Sequence, residues 1–564
     1  MKFFLSILTI VFTNLVFAQS FNWAKATNSG LMYSSTADKY GNVYVTGSFN
    51  NTIDLDPSLN TFSLSANNIS NDVFIAKYRN TGDFVWGFKI GGSDQEVGKK
   101  IAVDNLGNVF VMGSFQGLVD FNPNSGVDTI RSPSGSTDIF IAKYDSIGNY
   151  QWVNHITNQN TGANNYGACK EIHIDNNNDI VLTGNLNGGL WFSDGATYSY
   201  LDELSLNDEV YFAKYQNNGG FVFANGIGGS GWDYAGCIGT DSLNNIYVTG
   251  RYQNDIDLDP STNTAILTHT NVANADNIFL AKYSPTGNYV YGKTILSPNT
   301  YSASALDNAL FVEKNGNVYI TGQLDASSFD FDPSANTVSI SGYYDCYFAK
   351  YDMNGNYAWA YKIGGSYGEA GKDISVDSLG NVFLLGNFTG TVDFNPGAGV
   401  ANMTSTAYTD LFFAKYNQSG TVLMGRHLAT SEARNMSLDY LNNIYIGGNF
   451  PTTSTIDFDP STTGTFNLSG NSTTIFIAKY GVSIPTEINE LQHEKEEIVL
   501  YPNPTNNTLH TNTALPFKIY DVLGNLCLQG NKSDIISIQS LNSGVYFIEL
   551  YSSDSIKKIR FVKE

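Results

Sequence analysis

One phrase recurs seven times along this chain of 564 residues, and it governs what the chain can fold into. It begins as "DKYGNVYVTGSF" at residue 38 and returns at 104, 175, 241, 313, 377 and 439, spaced by 62 to 72 residues. A second phrase keeps step: "DVFIAKY" at 72 has copies at 138, 209, 277, 345, 410 and 474, each ending in Ala-Lys-Tyr. A period of this kind marks a repeat architecture in which each unit buries its apolar faces only against its neighbours.

Each unit reads as four short strands, for example "KDISVD", "NVFLLGNF", "DLFFAKY" and an aromatic run such as "YAWAYKI". The Asp-x-x-Gly-Asn step between the first two is hairpin chemistry, because Gly and Asn accept positive φ and Asp bonds to the backbone ahead of it. No helical periodicity intervenes, so the expected fold is all-β, a seven-bladed β-propeller. The first six Ala-Lys-Tyr copies lead within a few residues into an aromatic run, but the seventh, "TIFIAKY", does not. The segment "SFNWAKAT" (20–27) is such a run with no repeat before it. It is expected to supply the last blade's outer strand and shut the ring, which leaves no exposed end.

The repeat region is placed at 19–480, followed by a charged linker at 481–497 and a new pattern of short strands and turns at 498–564, read as a small C-terminal β-sandwich. The opening "MKFFLSILTIVFTNLVFAQS" has one Lys, an apolar run and small residues before Gln19, the pattern of a secretory signal peptide (1–18) cut between Ala18 and Gln19. No later stretch reaches the roughly 20 apolar residues of a membrane span, so no transmembrane segment is expected in the mature chain. The net charge of −22, with no run of Lys and Arg, argues against a nucleic-acid partner. Cys169, Cys237, Cys346 and Cys527 have no metal-ligand spacing and read as buried thiols.

The "D-x-x-G-N-V-Y-V-T-G" core resembles the SBBP-type β-propeller repeat over roughly residues 20 to 480. The tail resembles the type A C-terminal sorting domain of the Bacteroidota type IX secretion system. That likeness is carried by "YPNP" (Tyr501, Pro502, Asn503, Pro504), "IYDVLGN" with Gly524, "LNSGVYFIEL" with Gly544 and Tyr546, and the basic ending that includes Lys563. It implies Sec export, passage through the outer membrane by the type IX machinery, and a secreted or cell-surface protein.

Comparison among the repeats separates construction from function: a residue present in every blade builds the blade. The Ala-Lys-Tyr lysines are therefore expected to pair with an acid or carbonyl of their own blade. The Asp-[Leu/Phe]-[Asp/Asn]-Pro phrase is less clear. Asp54 with Asp56, Asp257 with Asp259, Asp330 with Asp332 and Asp457 with Asp459 offer oxygen ligands of the kind calcium takes, the one cofactor these residues raise. The alternative is a capped strand-end turn, since Pro there ends a ladder. Trp191 and Phe192 read as packing or as an exposed platform.

Loops that differ between blades are better candidates. Three begin Gly-Gly-Ser and carry an acid at one spacing, Glu96, Asp233 and Glu369, with Trp232, Tyr234 and Tyr367 beside them. These are expected at a mouth of the central channel, where aromatic faces beside carboxylates suit a sugar or a cation. No zinc-protease, serine-hydrolase or phosphate-loop motif occurs, so catalytic residues are not assigned. The reading is a non-enzymatic binding or interaction protein for a glycan or protein ligand. The alternative is a polysaccharide hydrolase or lyase using carboxylates at the channel mouth.

Overall fold

The computed structural model describes residues 19–482 apart from 68–69, 134, 158–168, 204–206, 270–275, 296–308, 325–327, 366, 430–431, 452–453, 462–463 and 471–472. It also describes 500–563 apart from 502–504, 522–524 and 552–555. The signal segment through Ala18, most of the linker, Pro502–Pro504 and Gly524 lie outside the described residues. Two compact units separate at Ser483.

In the first unit every repeat builds an antiparallel ladder of four strands. The first ladder runs Leu31–Ala37, Val43–Phe49, Asp72–Tyr78, Phe84–Ile90, from inner to outer strand. The other inner strands are Glu96–Val103, Glu171–Ile174, Asp233–Thr240, Ala309–Val312, Ala370–Val376 and Glu432–Leu438. Each packs against the next, and Glu432–Leu438 returns to Leu31–Ala37, so the ladders close into a ring. This is a β-propeller.

The strand that the last repeat lacks comes from the other end of the unit. Gln19–Asn28 pairs antiparallel with Thr474–Val482, Ala24 opposite Ala478. Its side chains reproduce a clasp used elsewhere in the ring. Trp86 Nε1 and Lys77 Nζ both donate to the Ser146 carbonyl of the following ladder, at 3.3 and 3.0 Å. Trp152 and Lys143 do the same at Asn217, both at 3.1 Å. At the closure, Trp23 and Lys479 meet the Asn80 carbonyl at 2.9 and 3.3 Å. The chain's first strand therefore occupies the full structural role of an outer strand.

These clasps revise the expectation for the repeated lysines. Lys214 and Lys415 pair within their own ladder, with Asp175 at 2.8 Å and Asp377 at 3.3 Å. Lys77, Lys143 and Lys479 instead bridge to the next ladder, and Lys282 does both, pairing with Asp241 of its own ladder at 3.6 Å and reaching across to the Met353 carbonyl at 3.3 Å. Each of these four lies over an aromatic ring of its own sheet, as Lys77 does over Tyr44 at 4.9 Å, and is long enough to reach the neighbouring turn beyond it.

The Asp-x-x-Gly-Asn hairpins form as expected. Asp38 Oδ1 accepts from the Tyr40 and Asn42 amides at 2.9 and 3.0 Å, and Gly41 adopts φ of 81°. Cores lie between ladders, where for example Tyr44 and Ile75 of one pack with Val111 and Phe140 of the next. Cys169 and Cys346 are buried thiols, whereas Cys527 is exposed and Cys237 half-buried, so the uniform expectation of buried cysteines fails at these two.

Among the described residues the second unit's strands join in one five-stranded sheet, with long Thr508–Asp521 pairing on both sides. Its register to the following strand breaks near Leu515, and one cluster including Leu509, Ile519, Ile536, Ile548 and Phe561 forms the core of this unit. Tyr546 stacks on Phe561 at 5.7 Å and donates to the Asn542 carbonyl. Lys563 Nζ donates to the Asn506 carbonyl at 2.6 Å, and Gly544 opposes Lys563 across the sheet.

If the closing strand carries the ring, Trp23→Ala lowers unfolding stability by about 2 kcal/mol, as Trp86→Ala does at an internal clasp. Urea denaturation of both variants measures this. A Trp23 variant as stable as the parent would show that the ring does not depend on the clasp.

Candidate binding face and channel

The loops joining second to third strands, and those joining each outer strand to the next inner strand, lie at one end of the ring, because the ladders are antiparallel. The contact between them is direct: the amides of Glu96, Asp233 and Glu369 donate to the carbonyls of Asn71, Asp208 and Tyr344 at 2.9, 2.8 and 2.6 Å. Here the three acids expected at the channel mouth differ from that expectation. All are 0% exposed. Glu96, Asp233 and Glu369 fold back to accept the amides of Gly92, Gly229 and Gly365 at 3.0, 2.8 and 3.0 Å.

Each sits beside a second buried acid, Asp72, Glu209 or Asp345, on the preceding ladder. A glycine lets the chain pass: a Cβ at Gly91 would stand 2.2 Å from Asp72 Cγ, and one at Gly364 would stand 2.1 Å from Asp345 Oδ1. Lys89 and Lys362 hold Asp72 and Asp345 at 2.9 and 2.6 Å, while His155 and His427 hold Asp138 and Asp410 in other ladders.

Burial pushes the Glu96 carboxyl up to about 8, with the Gly92 amide opposing and Asp72 adding. Burial likewise moves Asp233 to about 8 and Glu369 to about 7, with Glu209 and Asp345 adding respectively. One oxygen of each, Glu96 Oε1, Asp233 Oδ1 and Glu369 Oε1, accepts no hydrogen bond among the described residues. Each of these acids ties its own loop to a glycine amide beside a second buried acid.

The aromatic companions do reach solvent. Trp232 is 44% exposed and stacks near-parallel on Tyr234, whose other neighbour is the Arg251 guanidinium at 4.2 Å from the ring centre. Tyr367 is 63% exposed. Sequence reasoning missed Tyr343, Tyr344 and Tyr408, all exposed on second-to-third-strand loops of adjoining ladders. The signal was available, since "GYYD" and "AYTD" stand where other repeats have small polar residues before the acid.

The Asp-x-Asp-Pro carboxylates are occupied by backbone. Asp54 Oδ1 accepts from the Asp56 and Phe62 amides at 3.1 and 2.8 Å, and Asp56 Oδ1 from Ser58 at 3.0 Å. Asp257 and Asp259, Asp330 and Asp332, and Asp457 and Asp459 repeat the pattern. The Ala-Lys-Tyr tyrosine hydroxyl donates to the carbonyl inside the phrase, as Tyr78 does to Leu55 at 2.8 Å and Tyr480 to Phe458 at 3.0 Å. The third repeat lacks the phrase, and its Tyr215 hydroxyl is buried without a partner among the described residues. In that repeat Phe192 is fully buried and Trp191 packs on Tyr200 at 4.8 Å, in a hairpin added to the preceding ladder. Among the described residues no group of three or more His, Cys, Asp or Glu side chains is placed to hold a metal.

The ring encloses a cavity of about 710 Å³ lined by the inner strands. Their free edges face it, and side chains of one ladder satisfy amides of the next. Ser34 Oγ accepts from Ile101, Asn435 Oδ1 from Ser35, and Asp373 Oδ2 from Met436, at 3.3, 3.2 and 2.8 Å. Where the preceding ladder offers no acceptor, the acid serves its own strand: Asp373 Oδ1 takes the Ile374 amide because Ala309 precedes it, and Glu171 Oε1 takes Ile172 while binding Lys100 Nζ at 2.7 Å. Burial raises Asp373 to about 7, against the amides of Met436 and Ile374. Into this cavity the ring brings Lys99, Lys100, Lys170, Arg251, Lys372 and Arg434, a basic cluster that no run of the sequence reveals.

Residues 499–564 match the family described as the secretion system C-terminal sorting domain. The fold and tail together define an exported β-propeller protein: the tail is a type IX sorting domain, and it directs the chain to the cell surface or the extracellular space. A WD repeat-containing protein of Acanthamoeba polyphaga mimivirus is 26% identical over 439 residues, 67% of this chain. The chain spans 31% of that relative's length. Among solved structures, the Dos1 propeller is similar at 7% identity, with 83% of this chain and 95% of that one covered and a TM-score of 0.38. A Bacillus licheniformis rhamnogalacturonan lyase shares 9% identity over 97% and 91% of the two chains, with a TM-score of 0.24.

The buried acids make stability depend on pH. Their ordinary values are 4.5 for Glu and 3.8 for Asp, so between about 5 and 7 the unfolded chain has released protons that the folded chain keeps. Folding stability therefore falls as pH rises through this window, by about 1 kcal/mol per carboxyl per pH unit. The triple variant Glu96→Gln, Asp233→Asn, Glu369→Gln should flatten the profile in thermal melts from pH 5 to 8. A slope equal to the parent's would show that these groups ionise normally.

Proposed function

We propose that the chain is a non-enzymatic binding protein, cleaved after Ala18 and exported through the type IX route. Its residues 19–480 form a seven-bladed propeller of the SBBP type, 481–497 a linker and 498–564 a sandwich-like sorting domain. The seven ladders, the cyclic contacts and the repeat phrases support the blade count.

The observation that carries the binding reading is the contrast on one end of the ring. The acids that a hydrolase or lyase would need are sealed against glycine amides, while Trp232, Tyr343, Tyr344, Tyr367 and Tyr408 stand open to solvent. Exposed aromatic faces stack on sugar rings and anchor protein ligands, and they need no carboxylate chemistry to do so. A glycan is the favoured ligand.

Glycan-array binding by the mature chain tests this, with calcium and with chelator, beside Trp232→Ala and Tyr367→Ala. Saturable binding weakened about tenfold or more in the variants is expected. Chelator sensitivity would bring back the Asp-x-Asp pairs as calcium ligands. No binding to any glycan would remove the saccharide reading and leave a protein ligand.

A further inference from the structure

We propose that the hairpin which the third repeat adds to the outer edge of the second ladder is a further binding site, receiving a neutral, β-linked polysaccharide chain on Tyr198, Tyr200 and Trp191. It shares a ligand class with the proposed function but none of its residues.

The first observation is what stands in place of a structural part. In other repeats the first Asp of the Asp-x-Asp-Pro or Asp-x-Asn-Pro phrase bridges to the end of the preceding ladder's outer strand and faces a short polar residue. Asp120 bridges to Gly91 and faces Thr129, and Asp393 bridges to Gly364 and faces Asn402. Trp191 holds that place in the third repeat, paired with Thr157 and facing Tyr200. The turn then needs another cap, and Asp194 Oδ1 accepts the Ala196 and Thr197 amides at 3.0 and 2.6 Å. The exchange also leaves the Tyr215 hydroxyl buried without a partner among the described residues. A buried hydroxyl in that state is destabilising, so blade construction does not ask for this hairpin.

The second observation is that the rings share one exposed side on a fixed support. Tyr198 and Tyr200 are 67% and 48% exposed, and as alternate residues of the strand Tyr198–Leu201 they lie on one face, about 7 Å apart along the chain. Trp191, half-buried on the facing strand Leu190–Ser193, leans on Tyr200 at 4.8 Å. A Cβ at Gly189 would collide with the Tyr200 hydroxyl, which donates to Asp202 Oδ1 at 3.2 Å. Leu190 and Phe192 anchor the other side, fully buried in one core with Ile156 of the second ladder and with Tyr211 and Tyr215 of the third. Rings held in place before a ligand arrives lose little freedom on binding it.

The third is charge. No Lys or Arg occurs between Lys170 and Lys214, a stretch that carries Asp194, Asp202 and Glu203. An anionic chain is therefore disfavoured. Asp194 gives its other oxygen to the Phe221 amide at 3.0 Å, whereas Asp202 and Glu203 are exposed. Carboxylates accept hydrogen bonds and sugar hydroxyls donate them. Two rings in file along an open ribbon match consecutive sugar units in the middle of a chain better than they match a single cationic group, because each apolar sugar face stacks on one ring.

Isothermal titration of the mature chain carrying Trp232→Ala and Tyr367→Ala tests the hairpin apart from the aromatic end of the ring. The probes are cellohexaose, xylohexaose and mannohexaose, with trigalacturonic acid and hexalysine as charged controls. Expected is saturable binding of at least one neutral hexaose, tighter than that of its disaccharide and nearly indifferent to salt, falling about tenfold or more on addition of Tyr198→Ala or Tyr200→Ala. Tyr40→Ala, an exposed turn tyrosine in another repeat, should leave it unchanged. The inference is overturned if no neutral hexaose binds, if only a charged probe binds, or if binding survives Tyr198→Ala with Tyr200→Ala in a chain that melts like the parent. With Trp232 and Tyr367 intact, binding that ignores the hairpin tyrosines would remove the hairpin and leave the aromatic end in place. Binding that needs the hairpin tyrosines and ignores Trp232→Ala with Tyr367→Ala would support the hairpin and remove the aromatic end.

Discussion

Every ladder in this protein has two apolar faces, and neither tolerates water. That single constraint imposes the ring: a first and last ladder with one bare face each would leave several aromatic side chains exposed, so the ends must meet. The closing strand meets the requirement twice. It completes the last sheet through its pairing with Thr474–Val482, and it delivers Trp23 to the same carbonyl that Lys479 uses. Closure is thus a copy of the ordinary junction between ladders, made with strands from opposite ends of the unit.

Closing the ring creates a second problem at its centre, where seven inner strands turn unpaired edges toward one cavity. Unsatisfied amides there would each cost about 1–3 kcal/mol. Side chains from adjacent ladders answer them, and the answers are local: Ser34, Asn435 and Asp373 each fit the acceptor their neighbour lacks. Because the solution uses side chains rather than a fixed motif, this layer is free to differ from ladder to ladder.

Strand order, hairpins and closure were legible in the sequence because each has a short-range cause. Gly and Asn at positive φ, Asp over a turn, and an orphan aromatic run can all be read without knowing what lies nearby. The fate of Glu96, Asp233 and Glu369 could not be read that way. They occupy loop sequence, and nothing in "GGSDQE" states that the acid turns inward; that follows from the Gly-Gly pair, which exists to let the loop pass a second acid on another ladder. Likewise Lys99, Lys170, Lys372 and Arg434 come from four different repeats, and only the ring gathers them at one cavity. Reading the repeats five residues ahead of each turn Asp, rather than at the loops, would have exposed them.

Two kinds of charge therefore coexist in the ring, one repeated at junctions and one that varies from ladder to ladder. Burial raises the carboxyls of Glu96, Asp233 and Glu369, so these three add little to the field outside. The basic residues of the inner strands follow no repeat: Lys99, Lys170, Lys372 and Arg434 each stand five residues ahead of a turn Asp, whereas Tyr33 and Gly236 fill the same place in other repeats, so this position varies where the hairpin Asp beside it does not.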